Sequence, residues 1–304
     1  MTTPDLALTR PAGPSLAIFL ALMTGATCIG FSGVFVRFAD IGPAAAGFWR
    51  MIFALPVLAA WMALERRNPT DGTVRSGAWG PIALAGLAFA VDVILYNASL
   101  GFTTIANASL LGNLSPVVVV LGGWLLLGEK PTRRILGALM LALGGAMLLV
   151  LPKFVAASGA PASAAGTFGD TLAIGAAIAY AGYILAIRRA RDLADAGRIG
   201  LISSVLCAIF CLATALILDE TIIPQSLQGW LAVIALGLVS HALGQGLITL
   251  SLGHYGASAA SLVMVYPALV SVLAAWAIFA EQPSPAQAFG GVAILAAVLL
   301  VRKG

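Results

Sequence analysis

Two stretches of this chain carry the same text, 152 residues apart. Ser99-Leu100-Gly101, Pro116, Trp124 and Glu129-Lys130-Pro131 return as Ser251-Leu252-Gly253, Pro267, Trp276 and Glu281-Gln282-Pro283. A chain duplicated in this way folds as two similar halves. Each copy is almost wholly apolar and long enough to cross a bilayer more than once. Two membrane-embedded halves suggest a carrier, because their rocking exposes a site between them to one side and then the other.

Lipid is the solvent that the composition requires. Hydrophobic residues make up 61% and charged residues 9% of the 304, against roughly 45–50% and 25% in ordinary soluble domains. A soluble core that hydrophobic would need charged helix faces, which are absent. The net charge of +4 does not point to nucleic acid, since the charges sit in short clusters between apolar runs. Cys28, Cys207 and Cys211 all fall inside apolar segments, which suits neither a disulfide framework nor a zinc site. Cys207 and Cys211 share a helix face and read as small packing residues.

A crossing needs ~20 mostly apolar residues. With Gly, Pro and charge clusters taken as breaks, ten spans are expected, at roughly 15–38, 42–64, 77–97, 103–127, 133–151, 168–188, 199–218, 227–250, 256–279 and 285–301. Residues 1–14 form a polar leader, and the first apolar run is too long for a signal-peptide core, so it reads as an uncleaved span. Residues 157–167, rich in Ala, Gly, Ser and Pro, read as a linker between a first half, 1–156, and a second, 157–304.

The basic residues set the orientation. With a cytoplasmic N-terminus, the inner segments hold Arg10; Arg66, Arg67 and Arg75; Lys130, Arg133 and Arg134; Arg188, Arg189, Arg191 and Arg198; and Arg302 with Lys303. Only Arg37, Arg50 and Lys153 remain outside. Both termini are then cytoplasmic. Five spans per half is an odd number, so the second half enters from the opposite side and the repeat is inverted. Arg37 and its counterpart Arg188 should therefore lie at opposite faces. Trp61, Trp79, Trp124, Trp230 and Trp276 fall near span ends, as interfacial tryptophans do; Trp49 lies deeper.

Gly30, Gly33, Gly137, Gly144, Gly145, Gly290 and Gly291 stand where helices would approach closely. Pro56, Pro116 and Pro267 each fall inside a span, where a missing N–H leaves a carbonyl unpaired. They read either as static kinks or as hinges used in gating.

Ionisable groups at bilayer depth are expensive, about 2.5–3.5 kcal/mol on insertion scales. Asp92 is the sharpest case, mid-way along span 3, with Tyr96 one turn on and Asn97 beside it. It reads as a partner for a substrate ammonium, a proton carrier, or a hydrogen-bonding group to a neighbouring helix. His241 and Gln245, four residues apart in span 8, align by the repeat offset with Phe89 and Val93 of span 3. His241 reads as a proton carrier or as a packed imidazole held by a carbonyl. Arg50 can clamp a carboxylate bidentately or snorkel outward, with Trp49 as a wall. Tyr180, Tyr183 and Tyr266 offer rings and hydroxyls to a cavity, or fill space. Asn107, Ser109, Asn113, Ser258 and Ser261 read mainly as links between helices.

The chain resembles the drug/metabolite transporter superfamily in its ten-span branch of paired EamA-type domains. The likeness rests on Ala108-Ser109-Leu110-Leu111, Ser115-Pro116-Val117 and Gly128-Glu129-Lys130-Pro131, and on Ala260-Ser261-Leu262, Tyr266-Pro267 and Glu281-Gln282-Pro283. Gly169-Asp170, Arg188-Arg189 and Phe48-Trp49-Arg50 add to it. Size and layout are similar to bacterial inner-membrane exporters of amino acids, including YddG-like exporters of aromatic ones. The resemblance implies a monomeric, all-α basket of ten helices around a central cavity, with spans 5 and 10 aside from the pathway.

The expectation is a secondary transporter of small amphipathic solutes, amino acids foremost, in the bilayer of the bacterial inner membrane. No G-x-x-x-x-G-K-[ST] loop is present, so ATP is not its direct energy source, and the sequence points to no cofactor. A carrier of nucleotide sugars or phosphorylated compounds would need more deep basic groups than Arg50 alone. An integral-membrane enzyme would need clustered acid–base or metal-binding residues.

Overall fold

A computed structural model describes residues 15–65, 77–99, 101–103, 108, 111–157, 164–279 and 284–302. The leader, Arg10, Arg66, Arg67, Arg75, Asn107, Ser109, the Glu281 motif and the middle of the expected linker lie outside them. The described residues form helices and no strand, as a chain in lipid must when every backbone group has to be satisfied within its own segment.

The helices are α1 (Leu16–Gly30), α2 (Ser32–Phe38), α3 (Pro43–Glu65), α4 (Trp79–Ser99), α5 (Ser115–Leu127), α6 (Arg133–Ala157) and α7 (Ala164–Arg191). Then come α8 (Ala196–Ile217), α9 (Leu227–Ala235), a π-helical segment (Leu236–Gln245), α10 (Gly246–Ser251), α11 (Ala257–Val263), α12 (Tyr266–Phe279) and α13 (Pro285–Arg302). Eight continuous or broken rods are long and apolar enough to cross a membrane; Ser115–Leu127 and Pro285–Val301 are shorter apolar helices. The expected linker is narrower than read, because α7 already begins at Ala164. Ala164 and Ala165 are strong helix formers and extend the helix backwards.

The prolines behave in two ways. Pro56 lies inside an unbroken α3, as expected. Pro116 and Pro267 do not sit mid-helix: they are the second residues of α5 and α12, after turns at Asn113-Leu114 and Met264-Val265. In a first turn the missing N–H would be unbonded anyway, and the ring pre-sets the helical φ. The chain therefore breaks before each proline, and the expected unpaired mid-helix carbonyl is replaced by a new helix start. Val117 N bonds Leu114 O at 3.0 Å and Ala268 N bonds Val265 O at 3.1 Å, so the two breaks are built alike.

Packing pairs α4 with α7, α3 with α8, α6 with α13, α5 with α11, and α1 with the π segment and α10. Glycine marks several of these contacts. A Cβ on Gly145 would meet Gly290 O at 2.7 Å, and one on Gly290 would meet Gly145 O at 2.6 Å, so α6 and α13 touch backbone to backbone. Gly30 likewise faces Val270, and Gly291 faces Leu269. Gly33, Gly137 and Gly144 face open space and do not serve the expected packing.

Polar contacts between loops fall into two sets. At one end, Glu220 accepts from Ala44 N and Ala45 N at 2.9 Å each, and Asp40 accepts from Gln225 N at 3.1 Å. Thr103 donates to Asp170 at 2.5 Å at that end too. At the other, Glu65 accepts from Gly197 N at 2.8 Å and Arg188 pairs with Glu129 at 3.3 Å. Every such contact joins loops that strict alternation of spans puts on one side. The second set carries the basic clusters and is called the basic end below.

Candidate functional site

Midway between the two ends, side chains from five rods converge. Arg50 comes from α3 and Phe89 and Asp92 from α4. Tyr180 and Tyr183 come from α7, Ser204 and Cys207 from α8, His241 and Gln245 from the π segment, and Thr249 from α10. The arrangement centres on Phe89. Its ring stacks on Tyr183 at 4.7 Å and on His241 at 5.7 Å, and the Arg50 guanidinium lies 5.5 Å from its centroid. A cation over an aromatic face gains roughly 0.5–2 kcal/mol, more as water is excluded.

Arg50 and Asp92 bring opposite charges to the same neighbourhood from adjacent helices, close enough for each to act on the other electrostatically. Tyr180 and Tyr183 lie close to Gln245, and Tyr183 also to Thr249, with neither hydroxyl bonded to Gln245 Nε2. Ser204 Oγ lies 2.7 Å from His241 Nε2. Cys207 and Cys211 face each other at 3.9 Å as free thiols.

The π segment explains how His241 gets there. A π turn widens the helix and re-aims its side chains, and such turns recur at functional sites. The segment is pinned on both flanks. Ser240 donates to Cys28 O at 3.1 Å. Gly237 lets Phe53 and the Arg50 carbonyl come close, and Gly244 does the same for Cys28 and Ile29. Nothing in a reading by helical period signals it; the glycines at 237, 244 and 246 are the one hint.

Three polar atoms in this group are buried without a partner: Arg50 Nε, His241 Nδ1 and Gln245 Nε2. Buried donors are nearly always bonded, so three such atoms in one group single it out as the candidate binding site. Tyr183, His241 and Gln245 are buried, whereas Arg50, Asp92 and Tyr180 keep part of their surface open.

The other expected residues are placed elsewhere. Trp49 turns from Arg50, donates to Ile222 O at 2.8 Å and packs with Phe53 and Trp230 at 5.4 and 5.1 Å. Asn97 donates to Pro43 O at 3.2 Å, toward the less basic end. The Tyr96 ring passes Gly112, and Tyr266 opens α12 against the apolar core. Adjacent residues on a helix diverge by about 100°, so Trp49 and Arg50, or Tyr96 and Asn97, do not share one face. Ser204 and Thr249 were legible only as polar letters in apolar helices.

Among the described residues, no group of three or more His, Cys, Asp or Glu gathers that could hold a metal ion.

The sequence model of the EamA-like transporter family matches residues 16–151 and again 167–303. The chain belongs to that family. The resemblance drawn from the Ser115-Pro116 and Gly128-Glu129 motifs is thereby borne out, and the molecule is a multi-pass membrane transporter of EamA type. It is 25% identical over 223 residues to the pseudopaline exporter CntI of Pseudomonas aeruginosa, covering 73% of this chain and 74% of that protein. The exporter of the same name from a second strain matches equally. A solved crystal structure superposes with a TM-score of 0.79 over 94% of this chain and 96% of the other; at 18% identity, that likeness concerns the fold alone.

Proposed function

We propose that this EamA-type protein exports small amphipathic metabolites, amino acids foremost and those with aromatic or large apolar side chains among them. It does so by alternating access between two inverted five-span halves. The observation that carries the reading is the buried group around Phe89, drawn from both halves and holding three unpartnered polar atoms. An α-amino acid presents a carboxylate, an ammonium and a side chain. Arg50 suits the carboxylate as a bidentate donor, Asp92 the ammonium, and Phe89, Tyr180 and Tyr183 an apolar or aromatic side chain. The names of the curated relatives support export.

The inverted arrangement draws support from the pattern of packing. Exchanging the halves maps span 3 against span 6 onto span 8 against span 1, and spans 2 with 7, 4 with 9 and 5 with 10 onto themselves; all these pairings occur. The matching breaks before Pro116 and Pro267 obey the same exchange and are read as the hinges, with Pro56 as a third. The protein is read as monomeric in the bacterial inner membrane, with both termini cytoplasmic. A carrier of phosphorylated compounds suits the site less, since Arg50 is its one cation.

The test is flux of a panel of labelled amino acids in proteoliposomes, with and without a pH gradient. Saturable movement of unmodified amino acid is the expected result. No flux of any amino acid, beside flux of another solute class, rejects the substrate reading.

A further inference from the structure

The basic end carries a second feature, apart from the group around Phe89. A cavity of about 590 Å³ opens there, between the loop after α5, the first turn of α6, the segment leading into α11 and the end of α13. None of its lining residues belongs to the group around Phe89.

Its rim is cationic. Lys130, Arg133 and Arg134 line it and are exposed. Glu129, the one acidic residue among the described residues of the rim, is engaged by Arg188 at 3.3 Å. The N-terminus of the 25-residue α6 adds its positive end to the same rim. The wall holds a polar atom with nothing to bind: Ser258 is 2% exposed, its hydroxyl has no partner, and it lines the cavity. Buried hydroxyls are rarely left so.

Thr132, His254 and Tyr255 add polar groups to the lining, and Ile135, Ala259, Leu300 and Val301 give it an apolar wall. Outside the mouth the apolar strip continues along α6 and α13 through Leu136, Met140, Leu299 and Leu300, which are 40% or more exposed. A free anion has no use for such a strip. A molecule with a charged head and hydrocarbon chains matches both parts, and basic pockets between membrane helices near the water boundary suit such heads.

We propose that this cavity is a binding site for an anionic phospholipid. The phosphate sits among Lys130, Arg133, Arg134 and the Ser258 hydroxyl, and the acyl chains lie along α6 and α13. The site holds whichever way the protein is oriented, because it sits at a water boundary in either case.

Purified full-length protein in neutral detergent would be titrated with phosphatidylglycerol and with phosphatidylcholine, reading bound lipid by native mass spectrometry and the melting temperature in parallel. The expected result is retained phosphatidylglycerol, with phosphatidylcholine binding far more weakly. K130Q/R133Q should bind phosphatidylglycerol about thirty-fold more weakly, since each basic side chain near an anionic surface is worth about a factor of five. K130R/R133K should keep it. Both side chains are exposed, and an unchanged lipid-free melting temperature shows that the variant is folded. Equal binding of the two lipids by the unaltered protein overturns the proposal without any variant. Displacement of phosphatidylglycerol by equimolar glycerol phosphate or inorganic phosphate also overturns it, by marking a soluble-anion site.

Discussion

The imidazole of His241 lies face to face with the ring of Phe89, 5.7 Å between centroids and 18° between planes. Residue 241 is residue 89 advanced by the 152-residue offset that separates Ser99 from Ser251. Positions one repeat offset apart are therefore in ring contact, as the proposed inverted arrangement requires of residues near its axis. One position carries a hydrocarbon ring and the other an imidazole, so the two members of the pair differ in chemistry.

That pair predicts an asymmetric response to mutation. Ser204→Ala removes the 2.7 Å partner of His241 Nε2 while Nδ1 is already unpaired. The change should destabilise the protein by about 1–3 kcal/mol, the penalty for orphaning a buried polar atom. Adding His241→Phe to Ser204→Ala replaces the imidazole by the ring its counterpart carries, and should recover at least half of the lost stability. Thermal unfolding in detergent of the two single variants and the double variant checks this. A double variant less stable than Ser204→Ala counts against it.

Charge complementarity at the site predicts which cargo groups matter. Arg50→Gln should weaken transport of amino acids by about 1.5–3 kcal/mol, roughly 10- to 150-fold in half-saturation, as for the loss of a charged hydrogen bond. Amino-acid amides, which lack the carboxylate, should respond much less. Asp92→Asn should show the converse pattern, harming cargo that carries an ammonium. Flux in proteoliposomes with paired acid and amide cargo measures both. Equal losses for acid and amide in Arg50→Gln would show that Arg50 holds the helices and not the cargo.

Much of the architecture is legible because lipid imposes simple rules. Apolar runs near 20 residues become rods, and the ends expected at 38, 64 and 218 fall within a residue of the helix ends at Phe38, Glu65 and Ile217. Asp92, His241, Gln245 and Arg50 stand out because polar atoms are scarce at that depth. The rest escapes for local reasons. The π segment depends on how α1 and α3 press on Gly237 and Gly244, which no period reveals. Trp49 is drawn from the site by a single bond to Ile222 O. Pro116 and Pro267 look like mid-span kinks because the turns before them are short and composed of apolar or neutral residues.

Backbone contact between α6 and α13 predicts a sharp difference between neighbouring glycines. Gly145→Ala places a methyl 2.7 Å from Gly290 O, a backbone atom that cannot step aside, so the helices must part. A loss of about 1–3 kcal/mol is expected, as for overpacking. Gly144→Ala meets nothing within 4 Å; it should be neutral or stabilise by up to about 1 kcal/mol through helix propensity. Melting temperatures of the two variants decide. Similar losses at 144 and 145 would remove the case for close approach.

Topology is open to direct measurement. Gln225 stands with Asp40 at one end, and Asp192 with Arg188 at the other. In the proposed orientation, a cysteine at 225 should react with a membrane-impermeant maleimide from outside intact spheroplasts, and a cysteine at 192 only after lysis. Labelling of both from the same side would refute the inverted topology.

The end of the molecule that holds Asp40 carries an acid-sensitive fastening. Asp40 accepts from Gln225 N at 3.1 Å, and hydrogen bonding to the Ser226 hydroxyl, foremost, holds its carboxyl below the ordinary value for an aspartate. A depressed folded-state value means that the carboxylate favours the closed contact above the ordinary range near pH ~4. That contribution fades as pH falls through the depressed value, because the protonated acid accepts more weakly. The contact tethers the start of α9, where Ser226 caps Gly229 N at 2.9 Å and Trp230 packs on Trp49. Acid titration should therefore change tryptophan emission below about pH 4 in the unaltered protein. Asp40→Asn, which cannot titrate, should lack that step. An identical step in the variant would assign the acid response to another group.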